Sequence, residues 1–533
     1  MTLRPRPEVD ALPAYVPGRS AQAAMDEHEL TSAIKLASNE SSFGPLPAAA
    51  KAIEDAVESV TRYPDNSAAS LRAALAEHLG VAPANIAVGT GSVGLIQQLC
   101  LAYAGPGDEI VFGDPSFEAY PVFAQLSGAS AVPVPLRRQT IDAVAMSAAV
   151  TPATRLVLLA SPNNPTGTAL RTAELLALAD AIPDSCLLVV DEAYHEFADG
   201  ADVPDAVNLL GDRENVVVLR TFSKAYGLAA LRVGYMAGAA EVIATVNKVA
   251  LPFGVNAIGQ VAAQASLKDP MEVRHVAAAV NSIRGYLVRE LAKRGFITPD
   301  PQGNFVWLPA GAAAKQLGDA LERKGVVTRA FAGRGVRVTV GSLDETQQFL
   351  AALDRVAAEL DIGADWALPS GEMGRAVGHW LQRLGGCEIR LRQHAHESTF
   401  DGLTEPDPGG DERWEAAQVW GHIGEFGDYW LVELDRVLDG EPNQPFGRTK
   451  ADEGRRAAIA AGPGRSVDDH LGAALRSLDR LRARLSELTT EEWSKVGTHP
   501  TLGRMTISDQ LTHFHIGHYE EHLAQLDELA ANK

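Results

Sequence analysis

Cysteine is nearly absent: 533 residues contain three, Cys100, Cys186 and Cys387. No two form a C-x-x-C pair, so the sequence offers neither a disulfide framework nor a cysteine zinc site. Long apolar runs are also missing; none approaches the roughly 20 residues needed to span a bilayer. The opening Met-Thr-Leu-Arg-Pro-Arg-Pro-Glu-Val-Asp has no signal-peptide core behind it. A reducing, cytoplasmic location is expected. Positive charge is in deficit, with 47 Lys and Arg against 68 Asp and Glu, a formal net charge of -21. Nucleic acid and an anionic membrane surface are therefore not expected as partners. Neither a fixed-period repeat nor a low-complexity tract is present.

What is present is length. Single cores stop growing at roughly 250–300 residues, so two or three domains are expected. From Ile86 to Gly238 short apolar runs recur: Ile86–Val88, Glu109–Phe112, Arg155–Ala160, Leu187–Val190, Val216–Leu219 and Val233–Met236. Consecutive apolar positions suit strands covered on both faces, as in a parallel sheet. Helical stretches such as Val93–Ala104 and Thr172–Ala181 lie between them, which predicts an α/β layered domain. From Pro270 the texture changes. A helix over Glu272–Arg294, strands over Phe305–Leu308 and Val336–Val340, and a helix over Asp344–Leu360 predict a small α+β domain. Asp361–Glu372 reads as a linker. Beyond it no strand pattern returns. Helices over Gly374–His396, Glu412–Leu438, Asp468–Leu488 and Ile507–Ala531 predict an all-α four-helix bundle over residues 373–533.

Four segments at the ends of the apolar runs carry polar chemistry. Lys224 lies in Arg220-Thr-Phe-Ser-Lys-Ala-Tyr-Gly-Leu, Asp191 in Val189-Val-Asp-Glu-Ala-Tyr194, and Asn164 in Ser161-Pro-Asn-Asn-Pro-Thr-Gly167. Gly89-Thr-Gly-Ser-Val-Gly94 joins a strand to a helix, where backbone N–H groups can cradle a phosphate. Open α/β sheets place ligands at the C-terminal ends of their strands, so these segments point to one site. A lysine for a Schiff base, a carboxylate for a ring nitrogen and a phosphate cradle are what amino-group transfer through pyridoxal 5'-phosphate (PLP) requires. An arginine matching the substrate carboxylate completes the set.

At these residues the sequence resembles the fold-type I PLP-dependent aminotransferases, in the group holding histidinol-phosphate aminotransferase and the bacterial aromatic amino acid aminotransferases. The resemblance covers about Leu12 to Leu360. It rests on Leu36-Ala-Ser-Asn-Glu, Arg62-Tyr-Pro-Asp, Ser161–Gly167, Asp191–Tyr194, Thr221–Lys224 and Gly335-Val-Arg-Val-Thr-Val-Gly341. It implies a PLP-transferase fold over residues 1–360, with a large domain of mostly parallel sheet (about 40–265) and a small α+β domain (1–39 and 266–360). By the same resemblance Lys224 is the Schiff-base lysine and proton shuttle, and Asp191 the partner of the pyridine nitrogen. Asn164 and Tyr194 would donate to the ring hydroxyl. Thr221, Ser223, Arg232 and Ser92, with Gly91 in the same turn, would hold the phosphate. Phe117 would stack on the ring. Tyr63 would reach the phosphate of the other subunit, which implies a homodimer. Arg337 would grip the substrate α-carboxylate, with Asn39 beside it. One departure stands out: Ala230 replaces a glycine usual in the family, where a Cβ could crowd the turn.

For the substrate, Gly91-Ser-Val-Gly-Leu-Ile-Gln-Gln-Leu, Val249-Ala-Leu-Pro-Phe-Gly and Asn304-Phe-Val-Trp-Leu-Pro look more like the aromatic enzymes. Arg329 falls where both groups carry an arginine; in the histidinol-phosphate enzymes it meets the substrate phosphate. The expectation is transamination of an aromatic amino acid with 2-oxoglutarate, ping-pong through pyridoxamine phosphate. Histidinol phosphate is the alternative, and a related PLP decarboxylase a further one.

In the last segment Thr506-Ile-Ser-Asp509 reads as a capping box. Ile507, Leu511, Phe514, His518, His522 and Leu526 then follow a 3.6-residue period, so His518 and His522 lie one turn apart on the inward stripe. Val419, His422, Ile423, Phe426 and Trp430 make the matching stripe of an earlier helix. Three inward histidines suit one divalent metal, zinc, nickel or iron, with positions left for water or substrate. The region resembles the DinB-like superfamily through Val419-Trp-Gly-His-Ile-Gly-Glu-Phe, Thr498-His-Pro-Thr-Leu-Gly-Arg-Met-Thr and His518-Tyr-Glu-Glu-His. That resemblance implies a four-helix bundle and either a metal- or thiol-dependent transferase or a binding module. His513 and His515 lie nearby, at angles that match the stripe less well.

Overall fold

All six apolar runs become strands of one sheet: β1 (Ile86–Gly89), β2 (Glu109–Asp114), β4 (Thr154–Ala160), β5 (Leu187–Asp191), β6 (Val216–Thr221) and β7 (Gly234–Gly238). A seventh, β3 (Ser130–Pro135), joins them, in the order β1-β7-β6-β5-β4-β2-β3. The neighbours from β6 through to β3 pair in parallel, while β7 runs antiparallel to both β6 and β1. β3 was not anticipated from the sequence. It is the edge strand, mostly unburied, and its two prolines mask the apolar pattern.

The computed structural model describes residues 5–360 and 372–531, except 11, 13–17, 138, 201, 295, 297, 398–399, 401, 406–412, 442, 449–451, 487 and 489. All of the expected linker but Glu372 therefore lies outside the described residues. Two compact units result: Met1–Val288 with Thr298–Val356, and Arg289–Ile297 with Ala357–Lys533.

The first unit explains why its strands are apolar at consecutive positions. Val111, Val157, Leu159, Leu188, Val190 and Val218 face one core, closed by Leu175 and Leu178 of the helix Thr172–Ala181. Ile110, Leu156, Leu158, Val189, Val217 and Leu219 face the other, closed by Leu95, Ile96 and Leu99 of α1 (Gly91–Tyr103). Each fully buried side chain of this kind contributes about 1.5–3 kcal/mol. With both faces filled, the free surface for a ligand is the C-terminal edge of β4, β5 and β6. The smaller sheet comprises Phe305–Leu308, Arg329–Phe331 and Gly335–Thr339, with the last in the middle and antiparallel to both neighbours.

In the second unit four long helices pack as a ring: α2 (Glu372–Glu397), α3 (Ala416–Asp439), α4 (Val467–Ser486) and α5 (Ile516–Ala531). Their shared core includes Trp380, Trp420, Phe426, Leu434, Leu478, Tyr519 and Leu523. The bundle stands as expected, with three corrections. A three-stranded ladder (Gln444–Pro445, Val496–His499 and Gly503–Thr506) accompanies it. Strands of two to four residues are too short to show an alternation. A short helix, Glu453–Ala461, was also not foreseen. The expected Ile507–Ala531 helix is interrupted by a π-helical turn at Leu511–His515. The capping box is present: Asp509 N–H donates to Thr506 Oγ1 (3.2 Å) and Thr506 N–H to Asp509 Oδ2 (2.9 Å). No helix among the described residues is long and apolar enough to cross a membrane.

Candidate active site and histidine cluster

β5 and β6 end side by side, and alternation along a strand sends successive side chains to opposite faces. Asp191 and Thr221 face one side. Glu192 and Arg220 face the other, where Arg220 Nη2 pairs with Glu192 Oε2 (2.7 Å) and Asp205 Oδ1 (2.6 Å). That buried pair ties the two strand ends together. Glu192, His195 and Asp205 cluster there, but the Arg220 guanidinium already fills the place a cation would take.

On the first side Lys224 Nζ donates to the carbonyls of Ser38 (3.2 Å) and Asn39 (3.1 Å). Burial, aided by the Arg337 guanidinium, brings its pKa down to about 7. Asp191 Oδ2 accepts from the Tyr120 hydroxyl (2.9 Å), and Asp191 Oδ1 is buried with no partner. Burial lifts the Asp191 carboxyl to about 6, against the Tyr120 hydrogen bond. A buried carboxylate oxygen without a donor fits a protonated ring nitrogen. Asn39 sits in the left-handed region (φ 53°), donates from Nδ2 to the Tyr194 oxygen (3.0 Å) and accepts from Thr339 Oγ1 (3.0 Å). Arg337 donates to Asn164 Oδ1 and, at 2.6 Å, to the Ala37 carbonyl. Phe117 meets Tyr120, the hydrogen-bond donor to Asp191, edge-on at 5.6 Å.

A group of hydroxyl, guanidinium and glycine residues adjoins this cluster. Ser223 Oγ receives hydrogen bonds from Thr221 Oγ1 (3.0 Å) and Arg232 Nη1 (3.1 Å). Gly91 has φ +77°, and a Cβ there would lie 2.7 Å from Arg232 Nη2. A Cβ at Gly234 would collide with the Ser92 backbone nitrogen. The start of α1, with its free N–H groups, thus closes on Arg232 and Ser223. Arg329 lies on the neighbouring strand in register with Arg337, and Ala230 lines an open cleft with Glu40 and Ser342. Tyr63 is not brought to the cluster by its own chain. It is 83% exposed and stacks on Phe253 at 4.8 Å.

In the second unit His422 of α3 and His518 and His522 of α5 converge. His518 Nε2 is 3.2 Å from the Nε2 of each of the other two. The outer nitrogens face acceptors: His422 Nδ1 and Glu425 (3.6 Å), His518 Nδ1 and Glu521 (3.3 Å), His522 Nδ1 and Gln525 Oε1 (2.7 Å). Burial lowers His422 to about 4, with Glu425 opposing, and holds His522 well below its ordinary value. Arg448 clamps both oxygens of Glu425 at 2.7 Å. Trp414 stacks on His522, and Phe426 packs edge-on to His518 at 4.5 Å. His513 is exposed; His515 is buried, its pKa pushed down to about 3 by burial.

The family described as aminotransferase class I and II matches residues 31–353. The chain belongs to that family. The DinB superfamily matches residues 386–526. The aminotransferase is 46% identical over 345 residues to an aromatic amino acid aminotransferase of Thermobifida fusca, covering 65% of this chain and 95% of the relative. With the same-named protein of Nocardia farcinica it shares 48% over 354 residues, covering 66% and 96%. Among solved structures it is similar to histidinol-phosphate aminotransferase of Sinorhizobium meliloti in complex with pyridoxal-5'-phosphate. That match has a TM-score of 0.63 at 31% identity, covering 68% of this chain and 99% of the other. PLP is the cofactor expected of such an enzyme.

Several residues of the aminotransferase site escaped the sequence reading. Tyr120 stands three residues after Phe117 and was given no role, and its signal was position alone. The Ser38, Asn39 and Ala37 carbonyls carry no side-chain signature at all. In the bundle a signal did exist: each of the three histidines has Glu or Gln three residues later, one helical turn on.

Proposed function

We propose that the enzyme transfers the amino group of an aromatic amino acid to 2-oxoglutarate in two half-reactions on one site. The orphaned Asp191 Oδ1 beside Lys224 and the Arg232 cradle carries the PLP assignment. Bound there, PLP supplies an electron sink for charge developing at the substrate α-carbon. Asp191 holds the proton on the ring nitrogen. Asn164 and Tyr194 would hold the ring oxygen, Phe117 would cover the ring face, and Gly91, Ser92, Thr221, Ser223 and Arg232 would hold the phosphate. Arg337 binds the α-carboxylate with Asn39 beside it. With its pKa near 7, Lys224 can both take the α-proton as a free amine and return it as an ammonium group.

The aromatic reading is supported by relatives named for that activity at 45–48% identity across 95–98% of their lengths. The rings of Phe305 and Phe331 lie 5.6 and 5.9 Å from the Arg337 guanidinium and offer an apolar wall. Phenylalanine with 2-oxoglutarate should give phenylpyruvate and glutamate. A much larger kcat/KM for histidinol phosphate would overturn the assignment, and release of CO₂ would point to decarboxylation. Tyr63, exposed with Val57, Val60 and Phe253, is assigned to a homodimer contact reaching the partner's cofactor. Sedimentation of the holoenzyme as a monomer would refute this.

For the second unit the proposal is one divalent ion, zinc, nickel or iron, held by His422, His518 and His522. Three Nε2 atoms turned inward, with each Nδ1 facing an acceptor, is how metal-bound histidines are oriented. Metal analysis of wild type against His518→Ala tests it. Metal at one equivalent, lost in the variant, supports the site; none in either supports a binding module.

A further inference from the structure

A second arginine, opposite Arg337 in the strand register, is already engaged. Arg329 Nη2 meets Glu118 Oε1 and Oε2, both at 3.0 Å, across 211 residues of sequence. Glu118 directly follows Phe117, whose ring packs on Tyr120, the donor to Asp191. Arg329 stands opposite Arg337 in the strand register, and the Phe331 ring lies 5.9 Å from each guanidinium. The Glu118–Arg329 pair therefore sits one aromatic ring from the group assigned to the α-carboxylate. A second pair, Arg334 Nη2 with Asp114 Oδ2 at 2.8 Å, fixes the same loop to the same hairpin.

We infer that Glu118 is a specificity-determining residue: its carboxylate neutralises Arg329 when an uncharged side chain fills the pocket, and opposes amines bearing a phosphate. This rests on the aromatic reading given above. An aromatic side chain brings no counter-charge, so a largely buried Arg329 cation beside it is balanced from within the protein. Glu118 supplies that charge internally. A phosphorylated amine brings its own and must displace a carboxylate of the same sign, which stays close because it is fixed to the Phe117 loop. The Glu118 side chain is 46% exposed, so the discrimination is of modest size.

The test uses full-length holoenzyme as wild type, Glu118→Gln and Glu118→Gln with Arg329→Gln. It compares kcat/KM for phenylalanine and for histidinol phosphate. Glu118→Gln should raise the histidinol phosphate to phenylalanine ratio by about threefold to fivefold, and the double variant should lose that gain. A ratio unchanged in Glu118→Gln, as expected of a purely structural clamp, overturns the inference. So does a gain that survives loss of Arg329. Wild type preferring histidinol phosphate would sink the aromatic reading instead, while the response to Glu118→Gln still decides the role of this carboxylate.

Discussion

A lysine can attack a carbonyl only as the free amine, and burial with Arg337 brings Lys224 to a pKa of about 7. Below that pH the amine is charged and inert; above it the amine is neutral. Covalent capture of PLP by the apoprotein should accelerate through pH 7 and then level off. A continued climb towards pH 10, where an ordinary lysine titrates, would show Lys224 to be unperturbed. Lys224→Ala should lower kcat by about a thousandfold or more, as expected when the group that moves the proton is lost. Tyr120→Phe removes the hydrogen bond that opposes the raised pKa of Asp191. The carboxyl should then hold its charge less well, so that PLP dissociates faster and kcat falls by about tenfold. Equal PLP retention in wild type and variant would contradict this. Lys224, Asp191 and Asn164 were legible in the sequence because each sits in a motif at or just after a strand end, and Arg337 because it lies within the Gly335–Gly341 motif. Glu118 was not, because its meaning depends on Arg329, a partner brought close only by the fold.

Strands were legible where burial is two-sided and illegible where it is not. β4, β5 and β6 carry consecutive apolar residues (Leu156–Ala160, Leu187–Val190 and Val216–Leu219) because cores lie on both faces. The proline-bearing edge strand β3 and the short ladder strands of the second unit bury too little to leave a pattern. The π-helical turn at Leu511–His515 is the sharper lesson. It adds a residue to one turn, so a straight 3.6-residue count drifts across it. Tyr519 and Leu523 enter the core, and His518 lies at its edge, half-buried, facing His422 and His522. Gly517 permits this geometry, since a Cβ there would fall on the Thr512 carbonyl oxygen. Replacing a helical glycine with alanine ordinarily stabilises by about 1 kcal/mol. Gly517→Ala should do the reverse, by about 1–3 kcal/mol, and should weaken metal binding. Calorimetry of the variant checks the sign, and a raised melting temperature would contradict it.

At the scale of the whole molecule, the chain holds two units with separate cores. The change from strand–helix alternation to helices alone made this division visible in the sequence. Two units with their own cores should melt in two transitions. Chelator should shift the transition of the bundle and leave that of the aminotransferase in place. Transamination should remain within about twofold on chelation, since none of the groups assigned to PLP belongs to the histidine cluster. A parallel loss of activity and metal would show that the two sites are coupled.

The central claim is that Lys224, Asp191, Arg232 and Arg337 form a PLP site serving aromatic amino acids. The most direct measurement is kcat/KM of the full-length holoenzyme for phenylalanine and for histidinol phosphate, each with 2-oxoglutarate. Preference for phenylalanine, abolished in Lys224→Ala, is the predicted result. Preference for histidinol phosphate, or no transamination of either amine, would contradict it.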